Sequence, residues 1–315
     1  MTSAVVFAYH NVGVRCLSVL LAHGIEVPLV VTHRDAPGEN IWFESVAALA
    51  GRNGLACATP DDPNSPAFAA RLKSLVPDFL FSFYYRMMLK PELLAMAPRG
   101  AFNMHGSLLP KYRGRVPVNW SIIHGETHTG ATLHEMVAKP DAGRMVDQQS
   151  IPILPDDTAL EVFNKVTVAA EIVLDRSLPG LVSGTAVLRP QDLSQGSYFG
   201  ARRPEDGRID WSGPARTIHN LVRAVAPPYP GAFCTLEGRM LRVLRTRLSR
   251  EPASVAGPVI YVRGDTCLAA CGGGGVLELE SLELDGKPFA AREFLAIFGE
   301  RMITLPSSAG NSGTS

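Results

Sequence analysis

The first half of the chain carries short, uninterrupted apolar runs with longer amphipathic stretches between them, and that alternation leaves few folds open. Ala4 to Ala8, Val27 to Val31 and Phe79-Leu80-Phe81-Ser82-Phe83 are the runs. Helix-like segments lie between them: Val14 to His23, stopped by Gly24; Ile41 to Arg52, stopped before Gly54; and Ala67 to Leu75. Strands that are apolar throughout need cover on both faces, and strands alternating with helices pair in parallel. The expected fold class is therefore α/β, a Rossmann-like and mostly parallel sheet with helices on both faces. Such sheets collect ligands at the carboxyl ends of their strands.

Asp156-Asp157 opens a long helix whose apolar residues are Leu160, Phe163, Val166, Ala169, Ile172 and Val173. Two acids at its start suit the positive end of the helix dipole. Beyond Gly184 the texture changes. Gly, Pro, Ser, Arg and Asp crowd residues 189–215, one helix pattern runs from Ala215 to Ala226, and short β-like runs follow, such as Gly231 to Leu236 and Val276 to Leu284. This pattern predicts a main domain over 1–188, a linker over 189–205, a small β-rich, OB-like barrel over 206–305 and a disordered tail over 306–315.

Composition narrows the functional classes. With 30 Lys plus Arg against 30 Asp plus Glu, no net field attracts nucleic acid or an anionic membrane. No apolar run reaches the roughly 18–20 residues of a membrane span, and Met1-Thr2-Ser3-Ala4 lacks the basic start of a signal peptide. Five cysteines, Cys16, Cys57, Cys234, Cys267 and Cys271, are odd in number and scattered, so a reducing cytoplasm is expected. His124 and His128 have helical spacing but neither a helical context nor a third ligand, and Cys267 and Cys271 lack a second pair. No metal is expected. Nor does the first strand lead into G-x-G-x-x-G; it continues as His10-Asn11-Val12-Gly13-Val14-Arg15, which removes the main support for a dinucleotide site.

Candidate chemistry concentrates in Ala101-Phe102-Asn103-Met104-His105-Gly106-Ser107-Leu108-Leu109-Pro110-Lys111-Tyr112-Arg113-Gly114-Arg115. In an extended segment, alternation puts Phe102 and Met104 on one face and Asn103 and His105 on the other. The same spacing also fits two satisfied polar groups at a loop edge. Pro140 and Gly143 impose a turn that could present Asp141, although aspartate is also an ordinary turn residue. Tyr84, Tyr85, Arg86 and Met87 follow the third apolar run and should border a ligand site, or else complete the core.

Taken together, Asn103-Met104-His105-Gly106-Ser107-Leu108-Leu109-Pro110-Lys111-Tyr112-Arg113-Gly114 and Asp141-Ala142-Gly143 resemble the signature of the formyltetrahydrofolate-dependent formyltransferases. The resemblance extends over nearly the whole chain through Val6-Phe7-Ala8-Tyr9-His10, Asp35-Ala36-Pro37-Gly38-Glu39, Phe81 to Arg86, Val222 to Ala226 and Pro230 to Phe233. It implies transfer of a formyl group from 10-formyltetrahydrofolate to an amine. Asn103 would donate to the developing oxyanion, His105 would act as general acid/base, and Asp141 would stabilise the charged imidazole. It also implies donor contacts at Tyr84, Arg86, Met87, Arg115, Val137, Ala138, Lys139 and Pro140, and acceptor contacts at Tyr9 and Asn11.

The resemblance is greatest to the formyltransferase portion of the bifunctional branch that acts on UDP-4-amino-4-deoxy-L-arabinose in lipid A modification. Since the sequence has no room for that branch's dehydrogenase half, a separate dehydrogenase or decarboxylase is the expected source of the substrate. For a diphosphate, Arg202 and Arg203 are candidates, unless they are a solvated linker pair. Methionyl-tRNA formyltransferases share the three residues but grip tRNA through a basic loop. Here that loop, His33 to Asn40, is short and near neutral. A formyltetrahydrofolate hydrolase would need the same three groups and differ only in its products.

Overall fold

A computed structural model describes residues 1–250 and 254–307, so the expected disordered tail lies, from residue 308 on, outside the described residues. The chain forms two compact units. One holds Met1–Pro117, His128–Pro152 and Phe163–Gly200; the other holds Val118–Thr127, Ile153–Val162 and the chain from Ala201 onward.

The first unit is built on strands β1 (Ser3–Ala8), β2 (Glu26–Val31), β3 (Cys57–Ala58), β4 (Phe79–Phe83), β5 (Ala101–His105), β7 (His128–Glu135) and β8 (Met145–Pro152), with the short β6 (Arg113–Gly114) apart from them. Their order is β3-β2-β1-β4-β5-β7-β8. The pairs from β3 to β5 are parallel; β7 is antiparallel to β5, and β8 to β7. Helices α1 (His10–Ala22), α2 (Val46–Arg52), α3 (Pro66–Leu75) and α4 (Pro91–Leu94) belong to this unit; α5 (Pro117–Ile123) falls, beyond Pro117, in the other, and α6 (Ala159–Ser183) belongs to this one from Phe163 on. Val5, Phe7, Leu29, Val31 and Leu80 pack with Phe68 and Leu72 of α3 on one face, and the alternate residues Val6, Val30 and Phe81 are just as buried. Burial on both faces is why these strands read as unbroken apolar runs.

Local chemistry sets the helix ends. Ser65 Oγ caps α3 by accepting from Phe68 N, with Pro66 in the first turn. Ser45 caps α2 at Ala48 N, so α2 starts at Val46 and not at the expected Ile41. Residues 41–44 are drawn away because the Trp42 and Phe43 rings pack on His10, with centroids 4.4 and 3.9 Å apart.

In the second unit, the antiparallel strands β10 (Ala232–Leu236), β11 (Arg239–Leu248), β12 (Val259–Arg263), β13 (Thr266–Ala270), β14 (Val276–Leu284), β15 (Lys287–Pro288) and β16 (Ile303–Thr304) follow α7 (Ala215–Val225), with α8 (Ala291–Phe298) before the last. They form a curled sheet in the order β10-β11-β14-β13-β12-β16, and β15 pairs with β14. Two-residue turns at Glu237-Gly238 and Asp285-Gly286 have positive φ at both positions, the geometry that matches strand twist. Trp211, Val222, Leu241 and Phe294 lie in its core. The remaining short strand, β9 (Tyr198–Phe199), belongs to the first unit and pairs in parallel with β6. Among the described residues, no helix is long and apolar enough to cross a membrane.

Candidate active site

Strand β5 alternates as its sequence predicts. Phe102 and Met104 are 2% and 1% exposed, and Asn103 and His105 point to the opposite face. On the antiparallel neighbour β7, His134 stands opposite Asn103 and Thr132 opposite His105, so all four side chains share that face. Beyond His105 the chain turns at Gly106, where a Cβ would come within 1.9 Å of the Tyr84 hydroxyl. The following loop is pinned from below: Thr132 Oγ1 donates to Ser107 O (2.6 Å) and accepts from Leu109 N (3.2 Å) and Gln148 Nε2 (2.8 Å).

Three groups converge on Asp141. His105 Nδ1 is 3.6 Å and His134 Nε2 3.4 Å from its Oδ1, and Gly114 N donates to its Oδ2 at 2.8 Å. Asp141 has φ +51, and Gln191 Nε2 holds its turn by donating to the carbonyls of Asp141 and Gly143. Left-handed backbone also occurs at His10, Tyr84 and Tyr112, each costing on the order of 1–3 kcal/mol, so several strained residues border the strand ends. Gly114 takes φ +98 and lies so near β9 that a Cβ would meet Phe199 O at 2.2 Å.

The protonation geometry is explicit. His105 Nε2–H donates to Tyr112 O at 2.8 Å, which leaves Nδ1 free to exchange a proton with a substrate. At 3.6 Å Asp141 does not hydrogen-bond to that atom but acts on it through its charge. His134 Nδ1–H donates to Glu135 O at 2.7 Å, so neutral His134 offers Nε2 as acceptor to Asn103 Nδ2 at 3.2 Å; protonated, the same nitrogen faces the carboxylate. Burial works to raise the pKa of Asp141, but the charge of His105, the hydrogen bond and charge of His134 and the Gly114 amide outweigh it. The carboxyl is held far below the usual range. An amide donor, an imidazole and a fixed anion on one face can stabilise an oxyanion and move a proton.

A second cluster surrounds the carboxyl ends of β1, β2 and β4. Tyr9 Oη donates to Asp35 Oδ1 (2.7 Å), and the Arg86 guanidinium lies 4.5 Å from the Tyr9 ring centre while pairing with Glu39. Arg86 N donates to His33 Nε2, and the His33 ring stacks on Tyr85 with centroids 4.1 Å apart. Burial, with the charge of Arg86, pushes His33 down to about 4 and His10 to about 3, and burial pushes the Tyr85 phenol up to about 12. Asn11 Oδ1 accepts from Glu44 N (2.7 Å).

The structure therefore brings Asn103, His105 and Asp141 together. Tyr9, Tyr84, Arg86 and Met87 lie at or just past the ends of β1 and β4; Arg115 follows β6, its amide donating to Phe199 O. Val137, Ala138 and Lys139 are exposed in the turn before Asp141, with Pro140 partly covered. Arg202 and Arg203 belong to the second unit. The Arg202 guanidinium donates to Asp206 O and lies over the Trp120 ring, and Arg203 N donates to Asp206 Oδ2. Sequence reasoning missed His134 and the His10–Trp42–Phe43 cluster. Alternation along β7 from Thr132 was the available signal for the former.

Residues 21–178 match the family described as formyl transferase, and residues 202–299 match its C-terminal domain. Among solved structures, the chain is similar to the N-formyltransferase of Helicobacter canadensis in complex with folinic acid and dTDP-3-aminofucose, at 21% identity and a TM-score of 0.71, covering 89% of this chain and 99% of that one. It is similar to WlaRD, a sugar 3N-formyl transferase with dTDP and 5-N-formyl-THF, at 19% identity and a TM-score of 0.70, over 89% and 97% of the two chains. HypX of Aquifex aeolicus with tetrahydrofolic acid matches at 17% identity and a TM-score of 0.62 over 94% of this chain, which spans only 47% of HypX. At these identities the likeness is one of fold.

Proposed function

Because this chain belongs to the formyl transferase family, in both its main and its C-terminal domain, we propose that it moves the formyl group of 10-formyltetrahydrofolate onto the amine of a nucleotide-linked amino sugar. The observation that carries the proposal is the convergence of Asn103, His105 and Asp141 on one face of β5. The amine attacks the formyl carbon. Asn103 donates to the oxygen as it becomes anionic, and collapse of the tetrahedral intermediate breaks the bond between the formyl carbon and N10, so tetrahydrofolate leaves. His105 takes the proton of the attacking amine through Nδ1 and returns it to the departing N10, while Asp141 stabilises the imidazolium.

The donor fits the residues beside these groups. A pterin is flat, with hydrogen-bonding edges. Met87 and Val137 leave 39% and 41% of their surface open, next to backbone that carries Arg86, Ala138, Lys139 and Pro140. Tyr84 and Arg115 complete the proposed donor side, and Tyr9 and Asn11 the acceptor side. Arg202 and Arg203 remain candidates for contacts to the acceptor's diphosphate.

For the acceptor, the sequence resemblance supports UDP-4-amino-4-deoxy-L-arabinose, the substrate of a polymyxin-resistance enzyme. The solved relatives that carry dTDP or a dTDP-sugar support the wider class of amino-sugar nucleotides. Incubation with 10-formyltetrahydrofolate and a panel of UDP- and dTDP-linked amino sugars and methionyl-tRNA, with products read by mass, tests the proposal. A formylated sugar nucleotide is expected. Formylation of tRNA alone, or release of formate with every acceptor untouched, would overturn it.

A further inference from the structure

Two arginines are buried among the described residues, Arg113 at 8% and Arg223 at 7% exposure, and the chain treats them differently. The Arg223 guanidinium is fully engaged: Nε and Nη2 donate to Asn220 Oδ1, and Nη1 to the carbonyls of Leu154 and Asp157. Arg113 Nε is shut off from solvent with no hydrogen-bond partner, and no carboxylate among the described residues pairs with its guanidinium. A guanidinium cannot shed its proton to escape this, and a buried charge without a counterion is strongly destabilising. A site of this kind is completed from outside, by a ligand that brings acceptor oxygens.

The backbone on either side of Arg113 ties it to the candidate active site. The preceding carbonyl, Tyr112 O, accepts from His105 Nε2, and the following amide, Gly114 N, donates to Asp141 Oδ2. Arg113 N is itself fixed by Ser197 O at 3.0 Å in the β6–β9 pairing. Arg113 thus sits between the anchors of the two groups that would handle the proton. Of the proposed reactants, the donor bears its carboxylates at the end of its glutamate tail, beyond the pterin and the aminobenzoyl ring. The acceptor carries amine and phosphate on one small sugar ring.

We propose that Arg113 is a binding residue for the acceptor, its planar fork engaging phosphate oxygens of the diphosphate while the sugar amine reaches His105. This rests on the nucleotide-sugar reading above. It places the anion close to the reacting centre, and the residue orients the acceptor without touching the atoms that react.

Arg113→Met and Arg113→Lys test it, read three ways: the melting temperature of the free protein, its shift on adding UDP or dTDP, and KM for acceptor and donor. Arg113→Met is expected to melt at or above the wild-type temperature, since an uncompensated charge is gone. Its acceptor KM rises at least about tenfold and its nucleoside-diphosphate shift is lost, with donor KM within about twofold. Arg113→Lys keeps charge without the fork and falls between; should Arg113→Met fail to fold, this variant carries the test through the same ratio of acceptor to donor KM. A variant that melts early with acceptor KM unchanged, or one in which donor KM rises instead, overturns the proposal. Wild-type protein that formylates sugar nucleotides as well as Arg113→Met does sinks Arg113 alone. Wild-type protein that binds neither UDP nor dTDP sinks the nucleotide-sugar reading and this proposal with it.

Discussion

Asp141 is the residue on which the site's electrostatics turn, because one carboxylate faces two imidazoles and one amide. Its carboxyl is held below the ordinary value, so its contribution to stability is fully present above about 3.9 and is lost only as pH falls through its depressed native value. Asp141→Asn is therefore expected to melt below wild type at pH 7, with the gap closing only at pH values under about 4, and to lose about 10² in kcat while the Gly114 hydrogen bond survives. Melting curves from pH 3 to 8 check the first part. A gap that closes by pH 6 would contradict it. Asn103→Ala removes the amide donor and is expected to cost about 10²–10³ in kcat, measured with donor KM held near wild type.

At the scale of elements, β5 and the loop after it are held by strand β7, chiefly through Thr132. Thr132→Val keeps the shape but strips three hydrogen bonds, leaving Ser107 O and Leu109 N to find others, while Gln148 Nε2 keeps its bond to Leu109 O (2.8 Å). The expected loss is about 1–3 kcal/mol of stability, with a fall in kcat as the loop loosens; denaturant melts measure the first. An unchanged midpoint would mean that the loop is held elsewhere. The sequence made this region partly legible. The alternation Phe102-Asn103-Met104-His105 assigned the two polar residues to one face because a strand has a period of two. His134 escaped because its contact with Asn103 is made by antiparallel register, across 31 residues, and nothing local encodes that pairing. The start of α2 was misplaced for a related reason: aromatic packing of Trp42 and Phe43 on His10 overrides an amphipathic pattern. The missing partner of Arg113 is likewise a tertiary property, whereas the parallel strands were plain because burial on both faces writes itself into consecutive residues.

For the whole molecule, two half-buried histidines at the strand ends link fold stability to pH. His10 and His33 are pushed down to about 3 and 4, so the unfolded chain takes up protons that the native one refuses once pH falls below about 6.5. Stability is expected to fall as pH drops from 6.5 toward 4, more through His10, the more deeply covered of the two, than through the more open His33. His10→Asn, which tolerates the left-handed backbone at that position, should flatten the slope. An identical slope in the variant would mean that other groups set it. The central claim, that this family member transfers formyl groups through His105, is tested most directly by single-turnover formyl transfer in wild type and His105→Ala, with donor binding measured separately. The account predicts at least a hundredfold loss of transfer with donor affinity within a few-fold of wild type. Near-normal transfer in the variant would contradict it.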